Sequence, residues 1–304
     1  MIIVTGAAGF IGSNLCRALH ADGISVIGVD DFSFGSSKNV INGITFINGR
    51  FEDFTRIRFS GHYSFSEDDI LVHLATANLI YSQEHPLETI TTNCINTLEF
   101  FKHLPCKIVY ASTSSVYGDA SVIPTTEDAE IKADNFYSIS KRAVELYLEK
   151  RGNYTTLRLS NVYGPGQRPE NPYCGVVGRL IEAAYSNDKK QFSIYGDGSD
   201  TRDFTYIDDV VNALVRAIFM PALCSVINIG STAETRIVDL IDEVRSATGK
   251  NITTNRLPPR SIDKISRRCL SIDRAVALLR YSPKTDLRQG LKKTAQWYQG
   301  EGIF

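Results

Sequence analysis

At 304 residues the chain has room for one large or two modest folding units with a sizeable buried core. Its 43% hydrophobic and 22% charged content is that of a globular protein, and a formal net charge of -1 creates no general field to draw nucleic acid or an anionic membrane. No apolar run approaches the roughly 18 residues of a membrane span, and Met1 leads into Ile2-Ile3-Val4-Thr5 without a signal-peptide pattern, so a cytoplasmic setting is expected. Cys16, Cys94, Cys106, Cys174, Cys224 and Cys269 are scattered, with no CxxC or Cys/His cluster, so neither a disulfide framework nor a metal site is expected.

Residues 1 to 31 carry the first motif. A strand over 2–5 runs into Gly6-Ala7-Ala8-Gly9-Phe10-Ile11-Gly12, followed by a helix over 13–21 and a second strand over 25–29 ending at Asp30. A dinucleotide pyrophosphate needs backbone N–H groups close at hand at a helix N-terminus, and glycine permits both the turn and the approach. An acidic residue at the end of the second strand can accept hydrogen bonds from the adenosine ribose, so Asp30 favours NAD over NADP, whose 2′-phosphate a carboxylate would repel.

Strand-like runs recur at 44–47, 70–74, 107–111 and 155–159, separated by helix-like stretches over 88–103 and 137–151. Short β-branched strands alternating with helices predict an α/β, doubly wound parallel sheet, in which ligands sit beyond the carboxyl ends of the strands. Polar clusters fall at those ends: Asp30-Asp31, Ala75-Thr76, Ser112 to Ser115 and Ser160-Asn161. In the 137–151 helix, Tyr137 and Lys141 stand four residues apart and share a face. A cation there would stabilise phenolate over phenol, pulling the tyrosine pKa down from about 10 and making Tyr137 a general base.

After residue 160 the pattern changes. A turn-rich segment over 164–172 precedes a helix over 175–186, a hairpin-like run over 192–198, the charged Arg202-Asp203-Phe204, and helices over 208–219 and 237–248. A basic stretch over 256–268 reads equally as a solvated face or a phosphate site, and an amphipathic helix over 287–298 closes the chain.

The motifs TGAAGFIG (5–12), VDDFSFG (29–35), HLAT (73–76), ASTSSVYG (111–118), YSISK (137–141), LRLSNVYGPG (157–166), YGDGSDTRDFTYIDD (195–209) and SPKTDLRQGL (282–291) together resemble the extended short-chain dehydrogenase/reductases that act on nucleotide sugars, the epimerase/dehydratase family. The resemblance implies a Rossmann NAD-binding domain over 1–160 plus about 203–232. It implies a smaller C-terminal α/β substrate domain over about 161–202 plus 233–304.

It implies further that NAD meets Gly6, Gly9, Phe10, Ile11, Gly12, Asp30, Asp31, Leu74, Ala75, Thr76, Asn93, Tyr137 and Lys141. Thr113, Tyr137 and Lys141 would form the catalytic set. Ser114, Asn161, Val176, Tyr195, Arg202, Arg260 and Asp263 would bind a UDP-linked sugar, with Tyr195 either stacking on the base or packing in a hairpin core. A homodimer through the helices over 88–103 and 137–151 is the implied assembly, and epimerisation at C4 the implied reaction.

Four departures stand out. Ser114-Ser115 replaces the acids that family dehydratases and decarboxylases carry after the threonine, which favours epimerisation. Arg50 replaces an Asp that meets adenine, Ser271 an Asp, and Arg280 a Gly. The residue separating plain from N-acetylated hexoses is expected near Arg268 or Cys269.

Overall fold

The computed structural model describes residues 1–54, 65–171, 174–186, 191–259 and 265–303. The first six strands are β1 (Ile2–Thr5), β2 (Val26–Asp30), β3 (Thr45–Asn48), β4 (Ile70–His73), β5 (Lys107–Thr113) and β6 (Tyr154–Leu159). Beyond them β7 (Asn161–Tyr163), β8 (Phe192–Tyr195) and β9 (Thr201–Tyr206) leave the main sheet, and β10 (Ser225–Ile229) returns to its edge. The result is a parallel seven-stranded sheet in the order β10-β6-β5-β4-β1-β2-β3, a Rossmann arrangement. β10 extends the series that the strand pattern of the sequence suggests.

Side chains alternate across a strand, and along β1 this sends Ile2 and Val4 into one apolar core and Ile3 into another. Leu15 and Leu19 of the helix Phe10–Ala21, with Val210, Leu214 and Ile218 of the helix Ile207–Phe219, cover the first face. Phe100, Phe101, Val144 and Leu148 cover the second. With both faces buried, the strands read as nearly continuous apolar runs.

The helix Phe136–Arg151 starts at a capping box in which Asn135 Oδ1 accepts from Ser138 N at 2.9 Å while Ser138 Oγ accepts from Asn135 N at 3.3 Å. The cap pins the first turn, and with it Tyr137, against the sheet. The stretch expected as one helix over 88–103 is broken: Pro86–Ile90 and Thr97–Lys102 are α-helical, and Thr91–Asn96 between them is a π-helix. Thr, Asn and Cys are weak helix formers, and the wider turn rotates Asn93 into the interior.

The run over 192–198 is not a hairpin. Gly196 and Gly198, at φ +73° and +76°, swing the chain away. β8 then pairs in parallel with β12 (Thr254–Leu257), whereas β9 lies between β7 and β11 (Glu234–Arg236). No helix among the described residues is long and apolar enough to cross a membrane.

Candidate active site

The strand order reverses between β1 and β4, and beyond their carboxyl ends lies a cleft of about 730 Å³. Gly6, Gly9, Phe10, Ile11, Gly12, Asp30, Asp31, Leu74, Ala75, Thr76, Thr113, Tyr137 and Lys141 all line it. Gly6 has φ +72°, and a Cβ there would meet Ala75 N at 2.8 Å. A Cβ on Gly12 would stand 2.0 Å from Gly6 O, so this glycine lets the helix sit on its own loop. Gly9 also lines the cleft, and a Cβ on it would stand 3.1 Å from Gly6 O, a tight but milder contact than at Gly12.

Asp30 is buried, its Oδ2 accepting from Ala8 N at 3.0 Å and its Oδ1 from Phe32 N at 2.8 Å. Burial raises its pKa, with those backbone bonds opposing the rise. Arg50 also lines the cleft, where it pairs with Glu52 at 2.6 Å.

Asn93 does not line the cleft. It is buried behind the wall, where Oδ1 accepts from Ala77 N at 2.7 Å and Nδ2 donates to Ala77 O at 2.8 Å and to Ser140 Oγ at 3.3 Å. Asn93 thus ties the lining segment after β4 to the helix that carries Tyr137. Ser33, Phe34, Gly35, Asn78 and Tyr81 also line the cleft and were not assigned a role from sequence. Ser33, Phe34 and Gly35 lie in the motif VDDFSFG, and a Cβ on Gly35 would stand 2.8 Å from Asp30 Oδ1.

In the same cleft Tyr137 is half-buried beside Thr113, whose hydroxyl accepts from Ser115 N at 3.1 Å. Burial pushes the Tyr137 phenol up to about 12, the Thr113 hydroxyl opposing the rise. Lys141, 2% exposed, donates to Ala111 O at 2.9 Å and lies over the Tyr110 ring at 4.9 Å and the Tyr137 ring at 5.8 Å. Burial lowers its pKa to about 7, with Glu145 pulling the other way.

Tyr137 and Lys141 therefore stand together as their spacing implies, but the phenol shifts upward rather than downward. The lysine is desolvated and aimed at a carbonyl, so burial governs both groups. One turn on, Glu145 accepts from Arg158 Nε at 2.9 Å and Nη2 at 2.7 Å, from Arg142 at 3.0 Å and from Ser112 at 2.5 Å.

A second cleft, of about 850 Å³, includes Asn161, Val176, Tyr195 and Arg202 among its lining residues. Arg202 Nη1 donates to Thr201 O at 2.7 Å and Ile265 O at 3.0 Å. Asn161 Oδ1 is buried without a hydrogen-bond partner. Tyr195 is 36% exposed, which excludes the hairpin-core reading and leaves its ring open to the cleft. Ser114 is buried and lines neither cleft. Ser115 faces the second cleft instead, because the short 3-10 turn after β5 rotates the serine pair. Arg260 and Asp263 lie outside the described residues. Arg268 lines the second cleft, as does Asn135.

The model of the NAD dependent epimerase/dehydratase family matches residues 2–230. The chain belongs to that family. Over 98% of both chains it is 33% identical to a UDP-glucose 4-epimerase of Mycolicibacterium smegmatis. The UDP-glucose 4-epimerase of Thermotoga maritima, solved with UDP-glucose, superposes with a TM-score of 0.90 at 32% identity over 99% of both chains. MoeE5, solved with UDP-glucose and NAD, superposes with a TM-score of 0.84 at 29% identity, again over 99% of both chains.

Further relatives are UDP-sugar decarboxylases and an NDP-hexosamine 5,6-dehydratase, so one scaffold supports several outcomes. The cofactor of the family is NAD, and the cleft fits it. Gly6, Gly9 and Gly12 line the cleft without side chains at the N-terminus of the helix Phe10–Ala21, and Asp30 stands at the end of β2 where a ribose diol would lie.

Proposed function

We propose that the protein epimerises a UDP-linked sugar at C4 through a 4-keto intermediate. The observation that carries the reading is that Thr113, Tyr137 and Lys141 line one end of the same NAD cleft together, with serines rather than acids at 114 and 115. Thr113 orients the C4 hydroxyl of the sugar, and Tyr137 takes its proton as the C4 hydrogen leaves as hydride. Bound NAD would supply the hydride acceptor and donor for this chemistry. The keto sugar turns over in the second cleft, and Tyr137 gives the proton back once hydride has reached the opposite face.

Lys141, with the cofactor ribose beside it, regains its charge and stabilises the phenolate. Gly6, Gly9, Phe10, Ile11 and Gly12 hold the pyrophosphate of the cofactor, Asp30 and Asp31 its adenosine ribose, and Leu74, Ala75 and Thr76 its central wall. Asn93 acts through Ala77. Arg202, Arg260 and Asn161 take the substrate diphosphate, Asp263 its ribose, and Tyr195 stacks on the base, with Val176 and Ser115 enclosing the sugar.

A dehydratase would need an acid beside Thr113 to protonate the leaving hydroxyl, and neither Ser114 nor Ser115 supplies one. The two substrate-facing units are 1–160 with about 203–232, and 161–202 with 233–304. A homodimer through the helices around 86–102 and 136–151 is supported by Leu87, Ile95, Ile139 and Leu146, which are 80%, 53%, 43% and 46% exposed. The cytoplasm is the setting we assign, on the buried free thiols of Cys16, Cys106, Cys174 and Cys269.

Incubation with UDP-glucose, UDP-N-acetylglucosamine and UDP-glucuronate, read by NMR, tests the reaction. A C4 epimer is expected from one of them; a 4-keto, dehydrated or decarboxylated product without any epimer would overturn the reading.

A further inference from the structure

Arg268 differs from the other arginines around the second cleft. It is only 7% exposed, its Nη1 reaches the Ser115 hydroxyl at 3.4 Å, and its Nη2 is buried with no hydrogen-bond partner. Its neighbour Arg267 is exposed and bonded through Nε and Nη2 to Glu234, both at 2.7 Å. No carboxylate of the described residues forms an ion pair with Arg268, although Asp119, Asp134 and Asp203 act on it from further away. Burial and then the Arg202 charge lower its pKa to about 9, which leaves it a cation at neutral pH.

A buried guanidinium without a counter-charge is costly, and it persists where a ligand supplies the missing anion. Its position says which part of the ligand that is. Ser115 lies two residues beyond Thr113 and presents its hydroxyl to the same cleft, so the fork opens at the sugar end. A hydroxymethyl group offers the fork a single oxygen. A carboxylate offers two in the planar geometry a guanidinium matches, and the Ser115 hydroxyl can donate to one of them. With serine at 115, no carboxylate neutralises the cation from that side.

We propose that Arg268 and Ser115 form a carboxylate subsite, and that the substrate class is a UDP-linked hexuronic acid, held by its C6 carboxylate. The inference rests on the C4 epimerase reading for its reaction but not for its binding geometry. The oxidation and return of hydride at C4 are unchanged, and the carboxylate stays on the sugar, gripped while the ring turns over.

The test compares UDP-glucuronate, UDP-glucose and UDP on the wild type and on Arg268→Gln and Arg268→Lys. The wild type should favour UDP-glucuronate over UDP-glucose by at least tenfold in kcat/KM and in competitive binding. Arg268→Gln should lose a hundredfold or more on UDP-glucuronate, with Arg268→Lys between them, while the affinity for UDP, which has no sugar, moves less than threefold.

A wild type that prefers UDP-glucose, in turnover or, if nothing turns over, in binding, overturns the subsite whatever the variants do. A parallel loss of UDP affinity in Arg268→Gln overturns it in favour of a diphosphate contact. Conversion of UDP-glucuronate to a pentose with no epimer would keep the carboxylate subsite and remove the epimerase reading.

Discussion

Replacing Lys141 by Met keeps an unbranched side chain, one atom shorter, and removes the charge that burial disfavours. The pKa of Lys141 falls from 10.5 in the unfolded chain to about 7 in the folded one. Between those values the unfolded chain holds a proton that the folded protein has released, so stability rises with pH. The penalty is complete below pH 7, shrinks through the window, and is gone above 10.5. At about 1.4 kcal/mol per pH unit, the whole window is worth about 5 kcal/mol, and the part from pH 7 to 9.5 on the order of 3 kcal/mol.

Met also loses the bond to Ala111 O, but that cost, about 1 to 3 kcal/mol for an unsatisfied buried carbonyl, does not vary with pH. Urea denaturation of NAD-free protein at pH 7, 8, 9 and 9.5 should therefore show the wild type gaining on Lys141→Met by about 1 kcal/mol per unit. A difference between the two proteins that stays flat over this range would refute the desolvated lysine, and with it the idea that cofactor binding restores the charge.

Three further outcomes follow from the geometry. Gly12→Ala puts a methyl 2.0 Å from Gly6 O and should cost about 1 to 3 kcal/mol in denaturant stability, whereas Gly9→Ala should leave stability within about 0.5 kcal/mol and weaken NAD binding measured by calorimetry. Glu145→Ala strands the buried Arg158 and should destabilise by about 3 to 5 kcal/mol in the same urea assay; a loss under about 1 kcal/mol would show that the pair matters little. Tyr137→Phe should retain NAD, seen by absorbance of the co-purified cofactor, while turnover falls by about two to four orders of magnitude.

The cofactor cleft was legible because its parts are local. A strand, a glycine loop, a helix and an Asp lie within 30 residues, and backbone geometry dictates glycine at Gly6 and Gly12 whatever else the chain does. The pairing of Tyr137 with Lys141 followed from helical spacing alone. Its electrostatics did not, since desolvation depends on the Tyr110 ring and Ala111 carbonyl that tertiary packing brings over the lysine.

The same limit explains the other differences. The π-helical stretch that buries Asn93 spans only six residues, too few for periodicity to separate it from an ordinary helix. β8 looked like half of a hairpin because its partner, β12, lies some 60 residues away and pairs in parallel. Ser115 rather than Ser114 faces the substrate cleft because of one short turn after β5, a one-residue distinction below the resolution of spacing arguments. Arg268 looked like one member of a basic run; only burial separates it from exposed Arg267.

The central claim is that hydride leaves C4 and returns to C4 on the other face without leaving the protein. UDP-sugars carrying deuterium at C4, glucose- and glucuronate-linked, should give the C4 epimer with the deuterium still at C4 and none in solvent. Transfer of the deuterium to C6, release to water, or a product that is oxidised or shortened with no epimer formed would contradict the account.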